Sequence, residues 1–344
     1  MPAPLRIAWV VYGSLDQVSG GYIYDRLVVE HLRELGDTVS VVSLSPNAPA
    51  LPPDFDAASF DVVVGDELCF RELGTLFREL PSGLRRVLLI HHLTAWEHPE
   101  GAERAALLEL EKAAIDSADA CIATSRVTAD RLEHERLARR VQVAEPGADR
   151  FERTASAGQE PGGARLRLLF VGNILPRKRV LELASAFADL SSAHAELVLV
   201  GAELEPGYAQ AVKAAVAEAG VAGRVRWLGT LDAAGVAEQL TLADVLVLPS
   251  ALEGYGMVLS EALWSAVPII AARVGAAEEL VNRTAAGLLY EPDDPAGLGS
   301  ALAAFVGDRE LRAKLRRSAW LSAEQLPRWR DTALTLRATL SRSR

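Results

Sequence analysis

The chain has 344 residues, half of them hydrophobic, and a net charge of −10 from 36 basic and 46 acidic side chains. That length allows two domains with a core each, the composition excludes a disordered or fibrous chain, and the acidic balance argues against a nucleic-acid partner. Cys69 and Cys121 are the only cysteines, and Cys121 sits in an apolar ACIAT run, so a disulfide framework is excluded and a reducing, cytoplasmic setting is expected. The opening MPAPLRIAWVVYG has an apolar run too short for a signal peptide or a membrane span and reads as a first strand.

Leu5 to Val11 is that strand, and YGSLDQVSGG is the loop after it. A helical pattern then runs through Leu27, Val28, His31, Leu32 and Leu35 to a stop at Gly36, and Val39 to Leu44 is the next strand. The chain thus opens as a βαβ unit of a doubly wound parallel sheet. Gly20 and Gly21 stand where the loop meets the helix; taken alone, the pair is a plain turn. Asp61 to Gly65 and Val87 to Ile90 are further strands. His91 follows the second of these, at a carboxyl edge where α/β sheets bind ligands, with His92 beside it as the alternative. A helix over Ala102 to Ser117, a strand in ADACIATS and a helix over Ser125 to Arg140 lead to VQVAEPGADRF. The polar, Gly/Ala/Pro-rich stretch 152–164 is the best linker in the chain.

The pattern restarts with LRLLFVGNILPRKRVLELASAFADL, a strand, a loop and a helix, whose loop places Arg177 and Lys178 beside Gly172 and Asn173. AELVLVGAEL is a strand, Tyr208 to Ala219 a helix, and VRWLGTLD an edge strand with its turn. Val245 to Leu248 is a short buried strand ended by Pro249 and Ser250. Glu253, Gly254, Tyr255 and Gly256 form a turn-rich loop, and a helix follows with Met257, Leu259, Ala262, Leu263 and Ala266 at helical spacing until Pro268 stops it. A glycine loop opening a helix offers backbone N–H groups to an anion, and phosphate suits it. Glu253 lies ahead of the helix and would reach what is attached beyond the phosphate. Glu261, inside the helix, leans back toward the loop and could accept hydrogen bonds from hydroxyls there. Without that context, two glutamates so spaced read as solvated helix charges.

EGYGMVLSE, with VLPS before it and EALWSAVPII after it, resembles the E-x7-E signature of retaining GT-B glycosyltransferases of the family-4 type, also called glycosyl transferases group 1. The resemblance implies two Rossmann-like, doubly wound α/β domains facing across a cleft, with a nucleoside diphosphate sugar as donor substrate and neither cofactor nor metal. It implies that Glu253 contacts hydroxyls of the transferred sugar, that Glu261 holds the ribose, and that Gly254, Tyr255, Gly256, Met257 and Val258 line the diphosphate. It places Gly20 and Gly21 against the diphosphate from the first domain, and His91 near the sugar. The basic loop fits the same picture, because Arg177 and Lys178 at the mouth of a phosphate site would neutralise the charge that grows as the sugar leaves. Lys178 matches the family's lysine, whereas Asn173 stands where the family has arginine, which leaves the diphosphate contacts of Gly172 and Asn173 the weakest part of the match.

The expected layout is a first domain over 1–151 on the acceptor side, the linker 152–164, a donor domain over 165–325, and a last helix over 326–344 crossing back to the first domain. Gly275, Glu278 and Glu279 resemble a family turn, and Asp293 and Asp294 look like helix caps. The basic tail with Trp320 and Trp329 reads as a solvated helix face, with a peripheral contact at the inner membrane face as the alternative. The function expected is transfer of a hexose from a UDP- or GDP-sugar to an acceptor hydroxyl of a sugar, a lipid or a small metabolite, with a nucleotide-sugar epimerase or an inactive GT-B subunit as rivals. Asp54 to Asp56, a D-x-D triplet, is discounted as a metal site because it lies in a proline-rich stretch away from the phosphate loops.

Overall fold

The computed structural model describes residues 3–45, 50–153, 165–190 and 194–341. They form two compact units, Met1–Gly147 with Arg328–Arg344 and Ala148–Pro327. The first break thus falls at Gly147–Ala148 rather than at 151. Phe151 explains the difference: its side chain joins the second unit's core and its carbonyl accepts the Trp264 Nε1–H at 2.8 Å. Most of the expected linker, 154–164, lies outside the described residues.

In the first unit β1 (Arg6–Tyr12), β2 (Thr38–Leu44), β3 (Val62–Asp66), β4 (Arg85–Ile90), β5 (Ala120–Ala123) and β6 (Gln142–Val143) make a parallel sheet in the order β2-β1-β3-β4-β5-β6. β3 is buried along its whole length because it is central and covered on both faces, whereas edge strand β2 mixes buried and exposed positions. The helices are α1 (Gly20–Glu34), α2 (Phe70–Glu79), α3 (Ala102–Ser117) and α4 (Arg126–His134). Three of these differ from the sequence pattern. α1 begins at Gly20, so the glycine pair lies in its first turn, and its buried stripe runs through Asp25, Val28, Val29 and Leu32 rather than Leu27, His31 and Leu35. α2 was unassigned, although Phe70, Leu73, Leu76 and Phe77 are buried on one face at helical spacing. α4 stops at His134 because Arg136 turns left-handed (φ 58°) and the Leu137 N–H closes onto Leu132 O, a Schellman-type end.

The second unit repeats the plan with β7 (Leu166–Val171), β8 (Ala195–Val200), β9 (Val225–Gly229), β10 (Val245–Leu248), β11 (Ile269–Ala272) and β12 (Gly287–Tyr290), parallel in the order β12-β11-β10-β7-β8-β9. Its helices are α5 (Val180–Ala188), α6 (Pro206–Glu218), α7 (Ala233–Leu242), α8 (Met257–Trp264), α9 (Ala277–Thr284), α10 (Gly297–Gly307) and α11 (Arg309–Ser322). α7 also went unassigned, since its alanine- and glycine-rich start carries little periodicity. α8 ends at a left-handed Ala266 (φ 60°), before Pro268 can act. Asp294 accepts the Ala296 N–H and so closes a turn, but the α10 cap residue is Ala296, and Asp293 is exposed.

The tail is two helices rather than one. Leu326 is extended, as the residue before Pro327 must be, and α12 (Trp329–Leu340) belongs to the first unit. There it packs on α1, with the Trp329 ring 5.6 Å from that of Tyr24. The Thr332 hydroxyl donates to Glu145 O at 2.6 Å, and Arg337 clasps buried Asp37 through Nε and Nη2 at 2.7 and 2.8 Å. A Cβ on Gly147 would lie 2.1 Å from Trp329 N, so only glycine permits the helix to sit there. Trp329 is thus buried rather than displayed. Among the described residues no helix is long and apolar enough to cross a membrane.

Removing one partner of a buried, bidentate ion pair leaves the other charge desolvated. Arg337→Ala should therefore cost the first unit about 3 kcal/mol in denaturant unfolding, and Arg337→Lys, which cannot form the fork, should recover only part of it. A loss within experimental error of zero would show that α12 is not held by this pair.

Candidate active site

In each sheet the strand order reverses once, between β1 and β3 and between β7 and β10, and ligands of open α/β sheets bind beyond the carboxyl ends of the strands flanking such a point. The residues singled out in the sequence collect at these two places.

In the first unit, Asp66 ends β3, Glu67 follows it, and His91 follows neighbouring β4. Gly21 lies against the imidazole, its absent Cβ only 3.2 Å from Cδ2 and Nε2, whereas a Cβ on Gly20 would meet nothing within 4 Å, so only the second glycine serves the histidine directly. The His91 backbone N–H donates to Glu67 Oε2 at 2.6 Å, its carbonyl accepts from the Thr128 hydroxyl at 3.2 Å, and the Tyr24 ring meets it edge-on. His91 Nε2 lies 3.4 Å from Asp66 Oδ2 and 3.8 Å from Asp25 Oδ1. Asp66 Oδ1 accepts the Leu68 N–H at 2.8 Å, and Asp25 Oδ2 accepts the Trp9 Nε1–H at 3.0 Å. His92 turns instead to Glu97, 2.5 Å away, so the geometry separates the two histidines. Asp25, Asp66 and Glu67 were missed in the sequence. The signal was there in an acid on the buried stripe of α1 and an acidic pair at the end of an apolar strand.

Burial drives the protonation of this cluster. It raises Asp25 well above the usual carboxylate range, reinforced by the negative charge of Asp66. It would raise Asp66 too, but the His91 charge and the hydrogen bonds that Asp66 accepts outweigh it and hold that group low. Glu67 is pushed up to about 8 by burial against the pull of His91. His91 is raised: burial opposes its charge, but Asp66 and Glu67 outweigh it. Asp25, Asp66 and His91 are the one set among the described residues that could offer three donor atoms to a metal ion. Three donor atoms are fewer than the four to eight ligands that a divalent cation takes, and both aspartates are fully buried.

The second site is built by two loops. The β7 loop turns through Gly172 (φ 159°) and Asn173 into a single helical turn, Pro176–Lys178, and Arg179 at φ 50° redirects the chain into α5. The Asn173 Oδ1 accepts the Ala202 N–H at 3.4 Å and ties the β7 loop to the β8 loop. Those loops touch so closely that a Cβ on Gly201 would lie 1.9 Å from Gly172 O. From the β10 loop, Glu253 points back and is ion-paired with Lys178 Nζ. Burial favours a protonated Glu253, yet Lys178 and Arg177 outweigh it and keep the carboxylate charged. Arg177 also fastens the two loops, donating from Nη1 to Leu252 O at 3.3 Å while its carbonyl accepts the Ala251 N–H at 2.7 Å. Gly254 and Tyr255 are buried, Gly256 is left-handed (φ 87°), and α8 starts at Met257 with no side chain capping its first turn, so the N–H groups of Met257 and Val258 open onto the loop. Gly275 braces this turn, since a Cβ there would lie 2.8 Å from Glu253 Cβ. Glu261 is buried one helical turn further on and bonded at 3.1 Å to Arg150 Nη1, a residue whose role the sequence did not disclose. Burial raises Glu261 despite Arg150. Two cations, an uncapped helix start and two carboxylates, of which Glu261 is buried, form a cluster whose chemistry suits a diphosphate with hydroxyl-bearing groups on either side.

Residues 153–320 match the family described as glycosyl transferases group 1. The match spans 168 of the 344 residues. The matched stretch contains the two loops and α8 of the second site, from Gly172 to Glu261, while Arg150 and His91 with its neighbours lie outside it. A D-inositol 3-phosphate glycosyltransferase of Jonesia denitrificans is 32% identical over 183 residues, 52% of this chain and 43% of that protein. The chain spans about half the length of the curated relatives it matches. Among solved structures, sucrose-phosphate synthase from Thermosynechococcus elongatus is similar with a TM-score of 0.81 at 20% identity, covering 97% of this chain and 98% of that one. Anabaena HepE in complex with UDP and glucose is similar at 0.79 and 18% identity, over 98% and 99%. The fold is therefore GT-B, and the family match falls within the second unit.

The protonation states make a prediction independent of any ligand. Glu67, Asp25 and His91 all have raised folded values, so the folded chain holds protons that the unfolded chain has released, and this stabilisation is lost as pH rises from about 5 to about 8. Glu67→Gln, which keeps an acceptor for the His91 N–H, should gain stability relative to the parent as pH rises across that window. An unchanged difference in melting temperature at both ends would contradict a protonated Glu67.

Proposed function

We propose that this chain is a retaining glycosyltransferase that moves a hexose from a nucleoside diphosphate sugar to an acceptor hydroxyl, without a metal. The observation that carries this reading is the Lys178–Glu253 ion pair at the β7/β10 reversal, beside the uncapped start of α8. It puts a cation, a carboxylate and free backbone N–H groups where a sugar diphosphate needs all three. On this reading the N–H groups at Gly256, Met257 and Val258 take the diphosphate, with Gly172 and Gly254 leaving room for it and Tyr255 walling it. Lys178 and Arg177 stabilise the leaving phosphate, where charge grows most in the transition state. Glu253 holds sugar hydroxyls, and Glu261, oriented by Arg150, holds the ribose. In the first unit, Gly20, Gly21 and His91 are the proposed ligand contacts. Asn173 is assigned to joining loops rather than to phosphate. The free, buried thiols of Cys69 and Cys121 favour a reducing, cytoplasmic location.

UDP-sugars are the first donors to test, given the neighbour solved with UDP and glucose, with GDP-sugars second. The relatives named for D-inositol 3-phosphate make that polyol phosphate the first acceptor. Product formation with the anomeric configuration retained, read by proton NMR of the glycoside, supports the proposal; release of nucleotide with no glycoside from any donor and acceptor contradicts it.

Two variants separate the roles. Lys178→Ala should lower turnover by about 100-fold or more while weakening donor binding far less, because its charge matters most once the leaving group forms; equal losses in both would place it in ground-state binding only. Glu261→Gln, which retains an oxygen for Arg150, should raise the donor KM by about tenfold with turnover little changed, and an unchanged KM would remove the ribose assignment.

A further inference from the structure

Three buried polar atoms in the first unit face one another with no other hydrogen-bond partner among the described residues: Asp25 Oδ1, Asp66 Oδ2 and His91 Nε2. All lie within 4.8 Å of each other, and both aspartates are fully buried. Buried orphans of this kind are costly unless protons shared between them satisfy all three. The opposite oxygens are already engaged, by Trp9 Nε1–H on Asp25 and Leu68 N–H on Asp66, so neither carboxyl can turn away.

We propose that Asp66 and Asp25 are positioning residues acting through His91, Asp66 as a carboxylate and Asp25 as a neutral acid donating to it, so that His91 works as an imidazolium. Asp66 is the natural acceptor. It receives the Leu68 N–H at a helical turn's start, where negative charge is favoured, and one carboxylate can accept from both Asp25 and His91. Two adjacent buried carboxylates cannot both ionise, and the better-solvated partner keeps the charge. The shifts described above agree, Asp25 raised and Asp66 lowered. The other groups around the ring are Tyr22 and Tyr24 from α1, Glu67 and Cys69 after β3, and Glu111 on α3, which faces Glu67; burial raises all five, so all are neutral near pH 7 or, for Glu111 at about 7, half so. Asp66 is left as the charge that holds the proton on His91.

The consequence deepens the proposed function and rests on it. With Nε2 turned to the aspartates, Nδ1 is the nitrogen left for substrate. A neutral ring protonated at Nε2 would accept a hydrogen bond at Nδ1, whereas an imidazolium can only donate. His91 would then select a hydroxyl oxygen or an anionic oxygen, and would refuse a group that must donate to it.

The two aspartates predict opposite outcomes on substitution, which a purely structural role would not. Histidine-labelled full-length protein is titrated by nitrogen-15 NMR, with the His91 signal identified by its loss in His91→Gln. In the parent, His91 should titrate above the ordinary value of about 6.5. Asp66→Asn should lower that midpoint by about one unit or more and move the alkaline limb of the kcat/KM profile to lower pH with it, and Asp66→Glu should restore most of it. Asp25→Asn, which mimics the neutral acid, should leave the midpoint nearly unchanged. A parent midpoint below 6.5, or equal shifts in Asp25→Asn and Asp66→Asn, would overturn the assignment, as would a stoichiometric divalent metal in the parent that both variants lose. The parent titration decides the matter even if a variant fails to fold. It also needs no substrate, so inactivity toward every donor would defeat the proposed function while leaving this result standing.

Discussion

Parallel strands covered on both faces can show nothing to solvent except their ends, and that constraint governs both units. β3 as far as Gly65, and β10 and β11 throughout, are apolar because any polar side chain along them would be buried without a partner. Charge on these three strands is therefore confined to the carboxyl end, and the reversal of strand order decides which ends leave a crevice between them. In the second unit the β7 and β10 loops meet there and tie to each other through Arg177 and the Lys178–Glu253 pair. In the first, Asp66 and His91 emerge beside the start of α1.

Both sites then face one problem, charges removed from water, and solve it differently. The second unit pairs opposite charges directly, Lys178 with Glu253 and Arg150 with Glu261, so each carboxylate has a cation beside it. The first unit has one imidazole among several acids, and most of those acids must hold their protons. Protonation, rather than pairing, keeps that cluster buried.

Much of this was legible in the sequence because the signals were local. The run from Val245 to Ala272 gave strand, glycine loop, helix and strand in order, and the ends of β10, α3 and β11 agree with the sequence pattern to the residue. Family resemblance then attached roles to Glu253, Glu261, Lys178 and His91. What could not be read was non-local. Asn173 sits where an arginine was expected, and only the fold shows its side chain directed at the β8 loop. Arg150 looks like any surface arginine until α8 brings Glu261 to it. Asp25 was passed over because the helical stripe was drawn through Leu27 and His31, one step round the helix from the buried face. The break before α12 was written in Leu326–Pro327, but a continuous basic pattern hid it.

The central claim is that the β7 loop and the β10 loop with the start of α8 form one nucleoside diphosphate site. Amide hydrogen exchange of the full chain with and without UDP, GDP or ADP, no metal added, tests it most directly, because bound phosphate must protect the N–H groups it engages. The account predicts that one nucleotide slows exchange in residues 172–178 and 253–261 together. Protection confined to one of the two segments, or none in either at saturating nucleotide, would contradict it.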